Sequence, residues 1–549
     1  MTDNHGNFYT PENSEFYSRF RYLDLDPESK SIRLLRIKPP TSPENVKTEM
    51  IQCDLLDNIS LATIQGDYTT ISYCAGDPKD IEKVIINGLS FNAFANLGHA
   101  LRQARHFWKD KFDKHELLLW ADQICINQIN RSERRHQVQL MGHIYSASKC
   151  VLVSLSTNHD LAGGLKWLSD TLDDMRRPGR LSFSLGFEHD GYHDYLSDNI
   201  YQKRFHLGWN TFIRTVLTSS WWARAWVRQE FICSPDAHFM AAFESIHWKI
   251  VEEFIGIYYK GLFTLNKPVQ RCPYQFSKET GSSDLCQICP LHNGSGALPL
   301  QEAVWPVNRL LEAKTSIEEQ PKSSRDLLCN LRDAHFCKAS DPRDLVYAFL
   351  GFSEHSYGVY PNYAKDISLQ DVFIQLACKV ICHDQNLDIL ESAYLRRGPM
   401  VEVDPDLPSW APDWRNNEYR GRNHLAKDRR SRTTAFVSFR PDEKGRKNRI
   451  LQTRGVVHTV LRQNVSLGKF LSASGEMISV DGNVEEEDEV WVLDGANWFY
   501  ILRRHGQCHE VVGELLDPPE VSLGLRHSLD EINARIISED ASVQNVSIC

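Results

Sequence analysis

The chain has 549 residues, beyond the size at which one hydrophobic core keeps growing, so two or three domains are expected. Its 42% hydrophobic and 24% charged content excludes a disordered polymer, and a net charge of -10 spread along the length gives no case for a nucleic-acid or anionic-membrane partner. No apolar run approaches the roughly 18 residues of a membrane span, residues 1–16 carry no apolar signal core, and the fourteen cysteines are mostly isolated, so a cytoplasmic protein with reduced thiols is expected.

Residues 1–64 read as an N-terminal extension, because the first forty or so are polar and lead into the Pro-containing "RIKPPTSPENVKTE", a tether or edge segment. Residues 65–240 read as a layered α/β domain. Short β-branched runs ("DYTTISY", "KVIING", "HELLLW", "CVLVSL") alternate with amphipathic stretches ("FANLGHALRQARHFW" and a helix from about Arg131), which implies parallel pairing with crossover helices. Asn130 followed by Glu133 resembles a capping box for the second of these helices. The stretch "ADQICINQIN" falls just past the carboxyl end of a strand, where open α/β sheets bind ligands, so Asp122, Asn127 and Gln128 are site candidates by position. Residues 157–215 read as an irregular insertion.

"SSWWARAWVRQEF" (219–231) then predicts a helix starting at Trp221, capped by Ser220, with Trp222, Trp226 and Glu230 on one face. This puts a carboxylate on an aromatic stripe, at a cost of several kcal/mol unless it is paired. The same spacing turns Arg224 and Arg228 away from Glu230, so its partner is expected from elsewhere in the fold or from a ligand.

Residues 241–325 read as an irregular Cys-containing connection in which Cys272, Cys286, Cys289 and His292 offer a C-x-x-C-x-x-H set for zinc, against a loop of free thiols. Residues 326–430 read as a helical region, and 431–549 as a β-rich region forming a small antiparallel sheet or barrel. The basic stretch 415–449 is interrupted by acidic residues and reads as a solvated loop. No dinucleotide, Walker, H-E-x-x-H or G-x-S-x-G motif occurs in a fitting context.

Three clusters remain, and in this order they resemble the HET (heterokaryon incompatibility) domain of filamentous fungi. Tyr68, Ser72, Tyr73 and Gly76 fit its first motif, where Ala75 stands in place of the usual tryptophan and removes a large aromatic surface. Trp120, Asp122, Cys125, Ile126, Asn127, Gln128, Glu133, Arg134, Gln137, Val138, Met141, Ile144 and Tyr145 fit the second; Arg224, Trp226, Gln229 and Glu230 complete the third. "SDPRDLVYAFLGF", "VYPNYAKDISLQDVF" and "LPSWAPDW" look like the segments that follow this domain in many such proteins.

The resemblance implies a role in non-self recognition and programmed cell death, and a TIR- or flavodoxin-like parallel sheet with flanking helices. The W-x-x-x-E spacing of Trp226 and Glu230 is similar to the helix that carries the glutamate of NAD-cleaving TIR domains. On that likeness Glu230 would be catalytic, with NAD as substrate and no resident cofactor. Trp226 or Tyr73 would stack on a ring, and Asp122, Asn127 and Gln128 would supply polar contacts. Ser72 and Gly76 would line the pocket, and Arg224 would meet a phosphate. Tyr68, Trp120, Cys125, Glu133, Arg134, Gln137, Tyr145 and Gln229 would hold the motifs together.

The competing expectations are a non-catalytic assembly module, in which Glu230 pairs with a distant arginine such as Arg134, or a degenerate paralogue, hinted at by Ala75. A carboxylate in an open pocket favours the enzyme; one sealed by a bidentate arginine favours the module. Self-association through the HET domain and an unidentified incompatibility partner are expected in either case.

Overall fold

Nine strands share one sheet in the first half of the chain: Ser31–Ile37 (β1), Gln52–Ser60 (β2), Thr69–Ser72 (β3), Ile81–Ile86 (β4), Leu89–Phe94 (β5), Leu117–Trp120 (β6), Val151–Ser154 (β7), Ala237–Ala241 (β8) and Glu244–His247 (β9). Their spatial order is β5-β4-β2-β1-β6-β3-β7-β8-β9. The computed structural model describes residues 10–26, 28, 30–112, 116–155, 162–176, 208, 211–264, 300–319, 325–331, 333–394, 404, 406–415, 436–441, 447–466, 468–496, 498–516, 534–536, 538 and 542–549. The chain divides into two units, Met1–Arg325 with Phe336–Ser340, and Asp326–His335 with Asp341–Cys549.

The centre of the sheet, β6-β3-β7-β8, is parallel throughout, as the alternation of strands and helices predicts. β3 and β7 are buried at every residue because both faces are covered. Helices Ala95–Phe112 (α2), Arg131–Ser146 (α4) and Gly164–Met175 (α5) flank it, after a short N-terminal helix Ser14–Arg19 (α1) and the single turn Asp122–Cys125 (α3). The sheet is extended by the antiparallel pair β8–β9 on one side and, on the other, by the antiparallel pairs β6–β1, β1–β2 and β4–β5 with a parallel β2–β4 pair between them.

Three expectations change. The supposed extension contributes β1 and β2, and β1 lies inside the sheet between β2 and β6, since "SIRLLRI" is apolar enough to be covered on both faces. The stretch read as an irregular insertion contains α5, whose Leu165, Leu168, Leu172 and Met175 are buried at helical spacing. The stretch read as an irregular connection holds helices Trp248–Thr264 (α7) and Leu300–Glu319 (α8), which pack on each other. Asn130 caps α4 as expected, accepting the Ser132 and Glu133 amides. The return half of the capping box does not form, because Glu133 bonds to Arg33 and to the Asn127 amide instead.

That arginine ties β1 to the second motif. The Arg33 side chain is wholly buried; it donates to Glu133 at 2.6 Å and to Asp57 at 2.9 Å, bonds the carbonyls of Cys125 and Leu23, and lies against the Tyr22 ring. Gln137 reaches back to the Ser31 carbonyl at 3.0 Å.

The second unit begins with helices Leu327–Leu331 (α9), Asp344–Leu350 (α10), Leu369–Asp384 (α11) and Leu390–Tyr394 (α12). Ser368 and Asp371 form a complete capping box on α11. Eight strands follow: Phe436–Pro441 (β10), Lys447–Ser466 (β11), Lys469–Ser472 (β12), Met477–Gly482 (β13), Glu489–Leu493 (β14), Phe499–His505 (β15), Cys508–Leu515 (β16) and Gln544–Ile548 (β17). The long β11 pairs with both β12 and β14, so β11-β12-β13-β16-β15-β14 closes into an antiparallel ring around Val456, Leu461, Val490, Val492, Phe499, Ile501 and Val512. This is the barrel form of the expected β-rich region.

Replacing Arg33 by methionine leaves Glu133 buried without its cation. The expected loss is about 3 kcal/mol in the first unit, the order found when one partner of a buried pair is removed. Urea titration, with a core tryptophan signal from the first unit as the probe, checks it.

Candidate functional site

The tryptophan-rich stretch is not one helix. Ser219, rather than Ser220, caps a single 3-10 turn over Ser220–Ala223, its hydroxyl accepting the Trp221 amide. Arg224 is then extended (φ -72°, ψ 134°), and a second short helix, Val227–Ile232 (α6), carries Glu230. The break has a tertiary cause: Lys338 forms an isolated bridge with Arg224, its amide donating to Ala223 and its carbonyl accepting the Ala225 amide. A strand-like bridge and a continuing helix cannot use the same backbone groups, and the bridge prevails.

Straightening the chain at Arg224 overturns the expectation that its side chain points away from Glu230. The guanidinium grips the carboxylate with two bonds, Nη1 to Oε2 at 3.1 Å and Nη2 to Oε1 at 3.3 Å. Glu230 is 3% exposed, so it does not face an open cleft, whereas a quarter of the Arg224 side chain remains exposed. Arg134, the alternative partner, bonds the Gln128 carbonyl.

A second chain of donors reaches the same carboxylate. The Trp221 indole N–H donates to Ser72 Oγ at 2.6 Å, and Ser72 donates to Glu230 Oε2. An indole N–H can only donate, so Ser72 accepts from it while its own hydroxyl donates to Glu230; Arg224 likewise has only donors. Glu230 accepts all three bonds, and the Arg224 cation beside it favours its ionised form. Burial pushes its pKa up, opposed by the Arg224 charge and the Ser72 bond. Burial works hardest against the Arg224 cation, but Glu230, Cys74, Asp122 and Tyr145 together outweigh it and hold the guanidinium above its ordinary value.

This network sits past the carboxyl ends of β3 and β6, the position expected for a site in such a sheet. Beside it, Tyr73 donates to Asp122 Oδ1 at 2.9 Å, and burial with the Asp122 charge raises the phenol well above its usual pKa. Gln128 Nε2 bonds the Asp122 carbonyl. Ser72, Tyr73, Asp122, Arg224 and Glu230 are thus brought together; burial, with the nearby charges of Glu230 and Asp122, raises the Tyr145 phenol well above its ordinary value.

The other candidates hold the frame. Tyr145 donates to the Ile71 carbonyl and Tyr68 to that of Ile144, which fastens α4 to β3. Trp120 packs edge-on to Tyr145, and Cys125 is a buried thiol whose Sγ accepts the Ala121 amide. Gly76 is exposed at φ +83°, where an added Cβ would meet Asn96 Nδ2 at 2.8 Å, so its role is the turn itself. Asn127 and Gln128 are half-buried, as is Trp226; Gln229 is buried on α6. Cys272, Cys286, Cys289 and His292 lie outside the described residues. Among the described residues no cluster of three or more His, Cys, Asp and Glu side chains could hold a metal ion.

Two contributors escaped the sequence reading. Trp221 was passed over in favour of its neighbour Trp222, although donor-only tryptophan is the group that orients Ser72. Lys314, on α8, is 1% exposed; its ammonium donates to the carbonyls of Phe231 at 3.0 Å and Ser234 at 2.6 Å and lies over the Phe231 and Trp248 rings. It caps the helix that bears Glu230 from a position 83 residues away, and nothing local announces it.

A family model described as "Heterokaryon incompatibility protein (HET)" matches residues 68–230, which contain every group of the network except Lys314 and the Lys338 bridge. Over 439 residues the chain is 24% identical to "Heterokaryon incompatibility protein 6, OR allele" of Neurospora crassa. That alignment covers 71% of this chain and 58% of the Neurospora protein. No solved structure matches the chain.

Burial lowers the Lys314 pKa from 10.5 to about 8. Between these values the unfolded chain holds a proton that the folded chain does not, so stability is gained as pH rises through that window and lost as it falls through the folded pKa. The difference in unfolding midpoint between the wild type and Lys314→Met, followed from pH 7 to about pH 10.5, should therefore change in favour of the wild type. A constant difference would leave Lys314 as a packing residue.

Proposed function

We propose that this chain, whose residues 68–230 match the HET family model, acts in heterokaryon incompatibility, as a cytoplasmic module of non-self recognition whose engagement leads to programmed cell death. The family match and the name of the Neurospora relative support this reading. At the level of mechanism, the observation that carries it is the sealing of Glu230: both carboxylate oxygens are taken, by Arg224 in bidentate form and by Ser72. A carboxylate so engaged organises the carboxyl ends of the strands and is not free to stabilise a reacting sugar. The HET domain then signals by assembling, with itself and with an incompatibility partner, rather than by turning over a substrate.

A second reading rests on the partial exposure of Arg224. An anionic ligand that drew the guanidinium outward would release Glu230 beside Asp122. In a TIR-like NAD cleavage, the bond from ribose C1′ to nicotinamide breaks, its electron pair leaves with nicotinamide, and water supplies the new oxygen. Glu230 would offset the charge on the sugar, as carboxylates do in glycoside cleavage.

Total NAD distinguishes the two, measured in cells expressing the wild type or Glu230→Gln at matched folded amounts and then with purified protein. The assembly reading expects death on wild-type expression with NAD unchanged in both. NAD loss confined to the wild type would replace it with the glycohydrolase. Arg224→Met, by stranding a buried carboxylate, should destabilise the first unit by about 3 kcal/mol, with part of that recovered in the double variant with Glu230→Gln, as denaturation of the four proteins would show.

A further inference from the structure

We propose that Cys378 and Cys382, on α11 of the second unit, form a two-thiolate binding site for trivalent organoarsenicals of the R–As=O class. The residues are four apart in one unbroken helix, so their Cβ atoms project from the same face, roughly 5–6 Å apart. That face is the solvent side. Val372, Phe373, Leu376, Ala377, Val380 and Ile381 are buried on the opposite side, whereas Cys382 is exposed and Cys378 half-buried, both as reduced thiols. Lys379, also exposed, follows Cys378 and stands one turn before Cys382, where its charge favours the thiolates. The scaffold is fixed at both ends. The Ser368–Asp371 capping box holds the start; at the finish the Gln385 amide bonds the Ile381 carbonyl, the Gln385 carboxamide donates to the Cys382 carbonyl at 2.8 Å, and Tyr357 donates to Asp384 at 3.2 Å.

The spacing decides the ligand. A disulfide holds its Cβ atoms about 3.5–4.5 Å apart, so an S–S bond would have to distort the last turn. A larger centre set between the sulfurs spans the gap and leaves the helix as it is. A four-coordinate metal needs further ligands, and among the described residues no third His, Cys, Asp or Glu side chain completes such a set. An arsenical with one organic substituent needs two sulfurs and no more. Each thiol gives up its proton as its sulfur bonds to arsenic, and the oxygen leaves with both protons as water. Two As–S bonds replace the As=O bond, with no change of oxidation state. Because both thiols stand on one rigid helix, the second bond closes at high effective concentration.

The test titrates the full-length protein with phenylarsine oxide, counts bound arsenic per chain and maps the protected thiols by alkylation. Expected is protection of Cys378 and Cys382 together, with helix content unchanged, removal by dithiothreitol, and resistance to glutathione at the same thiol concentration. Cys378→Ser and Cys382→Ser should each lose one equivalent of tight binding and keep the wild-type thermal midpoint. Replacing Cys286 and Cys289, a C-x-x-C pair outside the described residues, should leave that equivalent in place. Undiminished binding in either single variant, alkylation of both residues in the loaded protein, or a Cys378–Cys382 disulfide formed with the helix intact would overturn the proposal.

Discussion

An ionised carboxylate inside an apolar layer is the constraint around which the first unit is arranged. Left alone, Glu230 would be driven to neutrality or to the surface; kept ionised, it needs donors that ask nothing in return. Arg224 is such a donor, and Ser72 donates to the carboxylate while itself accepting the Trp221 indole N–H. The rest follows from holding those groups in place. The Lys338 bridge opens the helix at Arg224, Lys314 anchors the far end of the helix that bears Glu230, and Trp221, Phe231, Phe239 and Trp248 pack edge to face around both.

A similar solution appears at the other side of the parallel core. Arg33 is surrounded by two carboxylates, two carbonyls and an aromatic face, which together replace the water it loses. Glu133, a residue of the second motif, is thereby committed to β1, and its remaining contact positions the Asn127 amide. The motif positions that bear charge are accordingly divided between those facing the strand ends, Asp122, Arg224 and Glu230, and those that attach the surrounding strands.

What could be read from the residues was local. Asn130 caps the following helix because side chain and amides are neighbours in the chain, and the apolar runs at β3, β6 and β7 are long enough to cross a layer and no more. The convergence of Ser72, Tyr73 and Asp122 was also legible, since strand ends in a parallel sheet lie side by side. The partner of Glu230 was not. Six residues separate it from Arg224, and helical spacing places them apart; only a bridge from residue 338 bends the chain so that they meet. The same holds for β1, whose place beside β6 depends on a cation whose counter-charge is a hundred residues away.

The strand order also dictates a sequence of events as the chain emerges from the ribosome. β3 lies between β6 and β7, both of which follow it, and β1 can pair with β2 but must wait for Leu117–Trp120 on its other side. Until then the most deeply covered strands have no neighbours, and Arg33 stays hydrated because collapsing it before Glu133 arrives would bury a lone cation. The sheet therefore closes from its middle only once α4 has been made to supply Glu133, which sets docking of the parallel core behind these non-local pairings.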